Sequence, residues 1–179
     1  MKILRRCLLV LGFAGIGLAG CAQHSAGSST LAASVVAPGE IGSQMPAFDL
    51  KDLRGKELSS NELRGKVVLI DFWATWCGPC KKEMPGYQKL QDEYGPRGFV
   101  VIGFKFDTMA DTEDPVKFAR RMGVRYPLAI APDDLKEKFG GIEGLPTTML
   151  YDRQGILRKK VVGFEYTEAF ESALKQLVQ

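Results

Sequence analysis

An α/β fold is predicted for this chain of 179 residues, because segments typical of buried strands alternate with segments typical of helices. Residues 66–74 and 99–106 are dominated by large apolar side chains, as expected for strands buried on both faces. Between them, residues 78–94 predict a helix that ends at Gly95-Pro96. Near the carboxyl end, residues 147–163 predict a β-hairpin.

Shorter elements complete the predicted domain. A hairpin is expected at its start, since Ala47–Leu50 and Lys56–Leu58 flank a turn at residues 53–55. The other predicted elements follow the second buried strand: a helix from Pro115 to about Gly123, a strand at 126–130, a helix at 133–139 and a last helix capped by Thr167. Residues 44–179 are therefore interpreted as one domain of ordinary size.

Residues 1–20 are interpreted as a signal peptide. Three basic residues precede an apolar stretch at 7–20, which is too short to span a bilayer and has the length of a signal-peptide core. The stretch ends in Leu18-Ala19-Gly20-Cys21, which resembles the bacterial lipobox, so Cys21 is expected to be lipidated and to anchor the mature protein in a bilayer. Ordinary cleavage that leaves Cys21 free is the alternative. The expected location is extracytoplasmic, on the periplasmic face if the envelope is Gram-negative.

Residues 21–43, which begin with the lipidated cysteine, are expected to form a flexible tether, because they are mostly small and polar. Removal of the three basic residues of the leader leaves 21 Lys and Arg against 21 Asp and Glu, so the mature chain is formally neutral. The basic composition of the whole chain is therefore no sign of nucleic-acid binding. The run Arg158-Lys159-Lys160 is interpreted as a solvated strand end or strand edge.

The segment Trp76-Cys77-Gly78-Pro79-Cys80 lies where the first buried strand gives way to the long helix. A helix start offers unpaired N–H groups and a partial positive charge, and both favour a thiolate. Cys77 is therefore predicted to be a nucleophile. Cys80 lies one turn further, within reach of Cys77, and is predicted to be the resolving thiol that closes a disulfide and releases a bound partner.

The cysteine count argues against a metal centre. Cys7 and Cys21 belong to the leader and the lipobox, which leaves Cys77 and Cys80 in the body of the chain. A zinc site needs two further ligands, and the single histidine, His24, lies in the tether. We therefore expect neither a metal nor another cofactor. An inert structural disulfide is also disfavoured, because a loop of two residues constrains the unfolded chain very little.

Several motifs together resemble the thioredoxin superfamily. Trp76–Cys80 follows Asp71-Phe72-Trp73-Ala74, as in thioredoxins. Lys81-Lys82-Glu83-Met84-Pro85, the later Gly144-Leu145-Pro146-Thr147-Thr148 and the long segment between them narrow the resemblance to membrane-tethered TlpA/ResA-type oxidoreductases, over about residues 44–178. The resemblance implies a thioredoxin-like fold, with a central mixed sheet flanked by helices, an N-terminal β-hairpin and a central strand-helix insertion.

The resemblance also implies how the site binds its substrate. It predicts a cis Leu145–Pro146 bond against the cysteines, where exposed backbone groups pair with an extended substrate segment. A trans proline that opens a strand is the local alternative. Leu145, Pro146, Pro79 and Trp76, the last at the rim, are the candidate substrate-binding residues.

Two acidic residues are candidates for proton transfer. Asp71 lies in a strand that reads as fully buried, and thioredoxins use an aspartate at the matching position to take a proton from the second cysteine, here Cys80. An acid that reaches solvent at a strand kink is the alternative. Gly103 stands where thioredoxins have the lysine that accompanies this acid. Lys105 is a weak candidate for the role of that lysine. ResA-like proteins have a glutamate at the position of Glu83 that shapes the acid chemistry of the active site. An ordinary solvated glutamate on a helix would give the same sequence and is the alternative.

The predicted function is therefore thiol–disulfide exchange. Gly78-Pro79 between the cysteines matches thioredoxin, a reductant with a potential of about −270 mV. The resemblance suggests reduction of disulfides in exported proteins such as apocytochrome c, with electrons supplied by a membrane protein and the oxidoreductase acting as a monomer. A copper-site assembly module and a dithiol oxidant or isomerase are the alternatives. A peroxiredoxin is disfavoured, since no proline lies between Gly65 and Cys77.

Overall fold

The computed structural model of the protein describes residues 36–106, 111 and 113–179. The predicted signal peptide at residues 1–20, the lipidation site Cys21 and most of the tether lie outside the described residues. Within the described part, no helix combines the length and the apolar character that crossing a bilayer requires.

A five-stranded mixed sheet forms the centre of the domain. A separate two-stranded hairpin precedes it, and the strands in chain order are β1 (Asp49–Lys51), β2 (Glu57–Ser59), β3 (Val67–Trp73), β4 (Phe99–Phe106), β5 (Leu128–Ala131), β6 (Thr147–Tyr151) and β7 (Leu157–Val162). The sheet order is β5-β4-β3-β6-β7, with β3, β4 and β5 parallel and β6 antiparallel to both of its neighbours. The predicted thioredoxin-like architecture, including the hairpin and the inserted strand and helix, is confirmed.

Four α-helices flank the sheet: α1 (Gly78–Tyr94), α2 (Pro115–Arg121), α3 (Asp133–Lys138) and α4 (Thr167–Leu177). The bounds of α1 match the prediction, and the helix continues through Pro85. Helix α2 begins where it does because the Asp114 carboxylate accepts hydrogen bonds from the first free N–H groups. The prediction that Thr167 caps the last helix is wrong by one residue: Tyr166 holds the cap position, without a side-chain hydrogen bond, and Thr167 is the first helical residue.

The core has two layers because every residue of β3 is buried and successive side chains face opposite sides of the sheet. On one side, Leu69 and Trp73 pack against α1, α2 and α4. On the other side, Ile70 and Phe72 pack under α3 and the hairpin, together with Phe104. The first layer contains the end of β3 and the start of α1, which is where the two body cysteines lie.

Candidate active site

Cys77 and Cys80 form a disulfide at the junction of β3 and α1, with their Cα atoms 5.4 Å apart. Cys77 is the N-cap of α1, and its Sγ accepts a hydrogen bond of 3.2 Å from the backbone N–H of Cys80. A donor in this position also stabilises a negative charge on the same sulfur. Cys77 is 3% exposed and Cys80 is fully buried, so a partner that approaches from solvent reaches Cys77 first.

The Leu145–Pro146 peptide bond is cis, as expected. Pro146 precedes β6, and Thr147 pairs with Phe72 near the carboxyl end of β3, so the turn lies at the same end of the sheet as the disulfide. The Pro146 carbonyl accepts a hydrogen bond of 2.7 Å from the N–H of Gly163. Pro146 is buried and Leu145 is half-buried, whereas Trp76 and Pro79 are exposed on the cysteine loop. The candidate substrate-binding residues thus differ in how accessible they are.

Asp71 lies in the middle of β3 and is fully buried, which rules out the solvent-reaching alternative. Its neighbours across the sheet are Gly103 of β4 and Thr148 of β6, so the predicted alignment with Gly103 is confirmed. Neither carboxylate oxygen has a hydrogen-bond partner among the described residues. Burial raises the pKa of Asp71 well above its usual value, and the Glu83 carboxylate raises it further.

Glu83 is buried and faces the same interior region as Asp71. It lies three residues after Cys80 on α1, which places both side chains on one face of the helix. Its Oε1 accepts a hydrogen bond of 2.9 Å from the backbone N–H of Glu165. The pKa of Glu83 is raised to about 7, mainly by burial and to a lesser extent by the Glu165 carboxylate, against the lowering effect of that hydrogen bond. The alternative of a solvated helix glutamate is therefore wrong.

Two tyrosines enclose the acids. The Tyr87 hydroxyl is hydrogen-bonded to Thr148 Oγ1 at 3.1 Å, and the Tyr126 hydroxyl is buried without a partner in the described part of the chain. Burial and the nearby charge of Asp71 raise the pKa of both tyrosines. We call Asp71, Glu83, Tyr87 and Tyr126 the buried proton-binding cluster. The two tyrosines therefore keep their protons, and the carboxyl groups of Asp71 and Glu83 are the members of the cluster that can exchange a proton.

Lys105 does not pair with Asp71. It is 1% exposed, lies opposite Trp73 in the sheet, and forms an ion pair of 2.8 Å with Asp111. Asp111 also accepts hydrogen bonds from the Thr75 hydroxyl and from the Thr75 backbone N–H, the latter at 3.3 Å. This network fixes the loop that leads from β3 to Cys77.

Sequence reasoning missed Asp111 and Glu165. A lysine inside an apolar strand requires a counter-charge, and the acidic loop after β4 is the nearest source in sequence. Asp111 could therefore have been predicted as a partner of Lys105. Glu165 had no such signal, since its partner Glu83 lies 82 residues away. Glu165 also forms an ion pair of 2.7 Å with Lys159.

Comparison with known proteins finds a matching family and several similar thiol–disulfide oxidoreductases. Residues 41–160 match the AhpC/TSA family. The chain is 36% identical to the thiol-disulfide oxidoreductase ResA of Bacillus thuringiensis (strain Al Hakam), over 77% of this chain and 79% of that protein. Its structure resembles a putative thiol:disulfide interchange protein DsbE from Chlorobium tepidum, with a TM-score of 0.70, 31% identity, and coverage of 78% of this chain and 99% of that one.

A further solved structure is the exposed lipoprotein thioredoxin Etrx1 of Streptococcus pneumoniae strain TIGR4. It has a TM-score of 0.61 and 27% identity, and the match covers 73% of this chain and 99% of that one. The sheet order and the cysteine pair at the start of α1 agree with a thioredoxin-like fold. The chain therefore belongs to the AhpC/TSA family and, within it, to the ResA-type thiol–disulfide oxidoreductases with a thioredoxin-like fold.

Proposed function

We propose that the protein reduces disulfides in exported proteins, with apocytochrome c as one such substrate. The observation that carries the proposal is the pairing of a slightly exposed Cys77 with a fully buried Cys80 next to two buried acids. The Cys77 thiolate attacks one substrate sulfur, a mixed disulfide forms, and the other substrate sulfur leaves as a thiolate. Cys80 then attacks Cys77, which releases the second substrate thiol and forms the Cys77–Cys80 disulfide.

The second step needs a proton acceptor, because Cys80 must lose its proton before it attacks. We assign this role to Asp71, supported by Glu83, since both carboxyl groups are buried beside the helix face that carries Cys80. The substrate leaves with two electrons from the dithiol and two protons. Trp76, Pro79, Leu145 and Pro146 are assigned to the substrate-binding edge. Because Pro146 has no N–H and its carbonyl already accepts a hydrogen bond from Gly163, main-chain pairing with an extended segment is expected at the Leu145 backbone.

We further propose that the domain acts outside the cytoplasm, tethered to the membrane through a lipidated Cys21. The apolar stretch at 7–20 and the lipobox-like Leu18–Cys21 support this location. The similarity to a pneumococcal protein described as an exposed lipoprotein supports it as well. Because thiols are normally oxidised outside the cytoplasm, the disulfide form must be reduced again by a membrane electron donor.

The first test is the reduction potential of the Cys77/Cys80 pair, measured by equilibration with redox buffers on a protein that starts at Val36. The Chlorobium tepidum structure consists almost wholly of the corresponding part, so this domain is expected to fold without the leader. A potential at or below about −230 mV supports a reductant, and a value of about −120 to −180 mV would identify an oxidant or isomerase instead.

A second measurement separates the copper alternative. No group of three or more His, Cys, Asp and Glu side chains suited to a metal occurs among the residues that the structure describes. Thiolates are soft ligands that Cu(I) favours, so the reduced Cys77 and Cys80 pair is expected to bind some Cu(I) on chemical grounds alone. Transfer of that Cu(I) from the loaded protein to an acceptor protein would favour a role in copper-site assembly, whereas disulfide reduction without copper transfer supports the proposed function.

A further inference from the structure

Thr75, two residues before Cys77, is bound to one carboxylate by two of its atoms. Its backbone N–H donates to Asp111 Oδ1 at 3.3 Å, and its hydroxyl donates to the same oxygen. The other carboxylate oxygen, Oδ2, pairs with Lys105 Nζ at 2.8 Å. We call Lys105, Asp111 and Thr75 the anchoring network. Because both oxygens of Asp111 are engaged, the network fixes the orientation of Thr75 as well as its position.

The anchoring network is shielded from water. Lys105 is 1% exposed, Thr75 is 4% exposed and the Asp111 side chain is 10% exposed. Lys105 also donates a hydrogen bond of 3.2 Å to the carbonyl of Phe106. Hydrogen bonds that involve ionised groups are strong, and they are stronger still where water is excluded. Strand β4 therefore holds the loop before Cys77 through a firm connection.

The anchoring network lies on the side of the sheet that carries the cysteines. Lys105 is paired with Trp73 across β4 and β3, so both side chains point to the face that α1 covers. Residues 74–77 form a turn in which the Cys77 N–H donates to the carbonyl of Ala74 at 3.1 Å. Cys77 is thus held from two directions, by helix α1, of which it is the N-cap, and by the anchored turn.

We propose that Asp111 and Lys105 are positioning residues that hold Cys77 in line for attack on a substrate disulfide. The inference rests on the proposed function, since it concerns the step in which the dithiol reduces its substrate. In that step the Cys77 thiolate bonds to one substrate sulfur, the substrate disulfide breaks, and the other sulfur leaves with the electron pair as a thiolate. Cys77 is only 3% exposed, so few directions of approach are open. A small rotation of its turn therefore lowers the rate of attack.

The chemistry of the anchoring network favours this role over a purely stabilising one. A buried ion pair adds little net stability compared with apolar side chains of similar volume, because both charges lose their water. Apolar residues would fill the same space, but they could accept neither the N–H nor the hydroxyl of Thr75. What the Lys105–Asp111 pair supplies is a fixed acceptor beside the turn that ends at Cys77.

The test separates the reactivity of the Cys77 thiolate from its alignment. In a Cys80→Ser background the mixed disulfide accumulates, so stopped-flow measurement gives the rate of attack on a synthetic peptide with one disulfide. Alkylation by iodoacetamide needs an ionised, accessible Cys77 but little alignment with the protein. In Thr75→Val, which keeps the shape of the side chain and loses the hydroxyl, attack on the peptide should slow by about tenfold, while alkylation changes by less than about twofold.

Three further variants complete the test. Thr75→Ser keeps the hydroxyl and should attack the peptide at the parent rate, which excludes an effect of side-chain volume. Asp111→Asn keeps an oxygen but loses the charge that pairs with Lys105, so a smaller loss of about threefold is expected. Asp152→Asn is the matched control, because Asp152 is also buried and pairs with Arg158 at 2.6 Å, but follows β6 at the opposite end of the sheet. It should keep both rates.

Two results would overturn the inference. One is an unchanged rate of attack on the peptide in Thr75→Val and Asp111→Asn, and the other is an equal loss in alkylation, which would mean that the network acts on thiolate formation or on folding. If Thr75→Val folds poorly, Asp111→Asn alone decides. Failure of the proposed function would look different: a potential typical of an oxidant leaves the comparison intact, because the Cys80→Ser background reports a single attack by one thiolate.

Discussion

Replacing Glu83 by glutamine is expected to stabilise the oxidised protein at neutral and alkaline pH. The pKa of Glu83 is raised from 4.5 to about 7, mainly by burial. Between these values the folded state holds a proton that the unfolded state releases, so the free energy of unfolding falls as pH rises, by about 1.4 kcal/mol per pH unit. Above pH 7 the accumulated cost is about 3 kcal/mol. Glutamine keeps an oxygen to accept the Glu165 N–H and has no proton to lose.

The assay is urea unfolding of both oxidised proteins at a series of pH values from 4 to 8. The difference in unfolding free energy between Glu83→Gln and the unaltered protein should grow by about 3 kcal/mol across this range. The contribution of Asp71 to the pH dependence is present in both proteins and largely cancels in the difference. Glu93→Gln, at the exposed far end of the same helix, is the control and should leave the pH profile unchanged. A difference that stays constant from pH 4 to 8 would refute the burial argument for Glu83.

Three other substitutions have defined outcomes. In Gly103→Ala, the new Cβ would clash with Leu128 Cδ2 and lie 2.9 Å from Trp73 Nε1, so we expect a loss of about 1–3 kcal/mol in urea unfolding, and no loss would mean that both side chains can shift freely. Asp111→Asn should lower the thermal midpoint because it weakens the anchoring of Thr75 and leaves a buried lysine less well paired; an unchanged midpoint would argue against that role. Asp71→Asn should slow release from the mixed disulfide by about 10²-fold in stopped-flow fluorescence, and an unaltered rate would remove Asp71 from the proton pathway.

The long elements could be predicted from sequence because their signals are local. The observed bounds of α1 and β4 match the expected 78–94 and 99–106, since a glycine-proline pair ends the helix and an unbroken apolar run defines the strand. The cysteine pair and Asp71 were likewise found from motifs within a few residues. The short strand β5 was placed two residues early at its start, because a four-residue strand has too few positions to establish a pattern.

The contacts that complete the site could not be predicted in the same way. The hydrogen bond from Glu165 to Glu83 joins residues 82 apart, and the contacts of Thr75 with Asp111 join residues 36 apart. Both depend on how the helices and loops pack around the sheet, which no local periodicity records. The exposure of Phe164 and Tyr166 could not be predicted either, because two aromatic residues in a sequence give no sign of whether they are buried.

The unusual electrostatics of the site follow from what lies beside Asp71. Glycine at position 103 supplies no cation where thioredoxins have a lysine, and the causes acting on the pKa of Asp71, burial and the Glu83 carboxylate, both raise it. Burial thus favours the protonated form of both acids, and Glu83, with a pKa of about 7, loses its proton only near neutral pH. In the proposed mechanism Asp71 accepts the proton of Cys80 in its ionised form, and the ionised Glu83 makes Asp71 a stronger base by raising its pKa. The hydrogen bond from the Glu165 N–H stabilises the ionised form of Glu83, so this contact between residues 82 apart in sequence helps set the pH at which the dithiol can resolve a mixed disulfide.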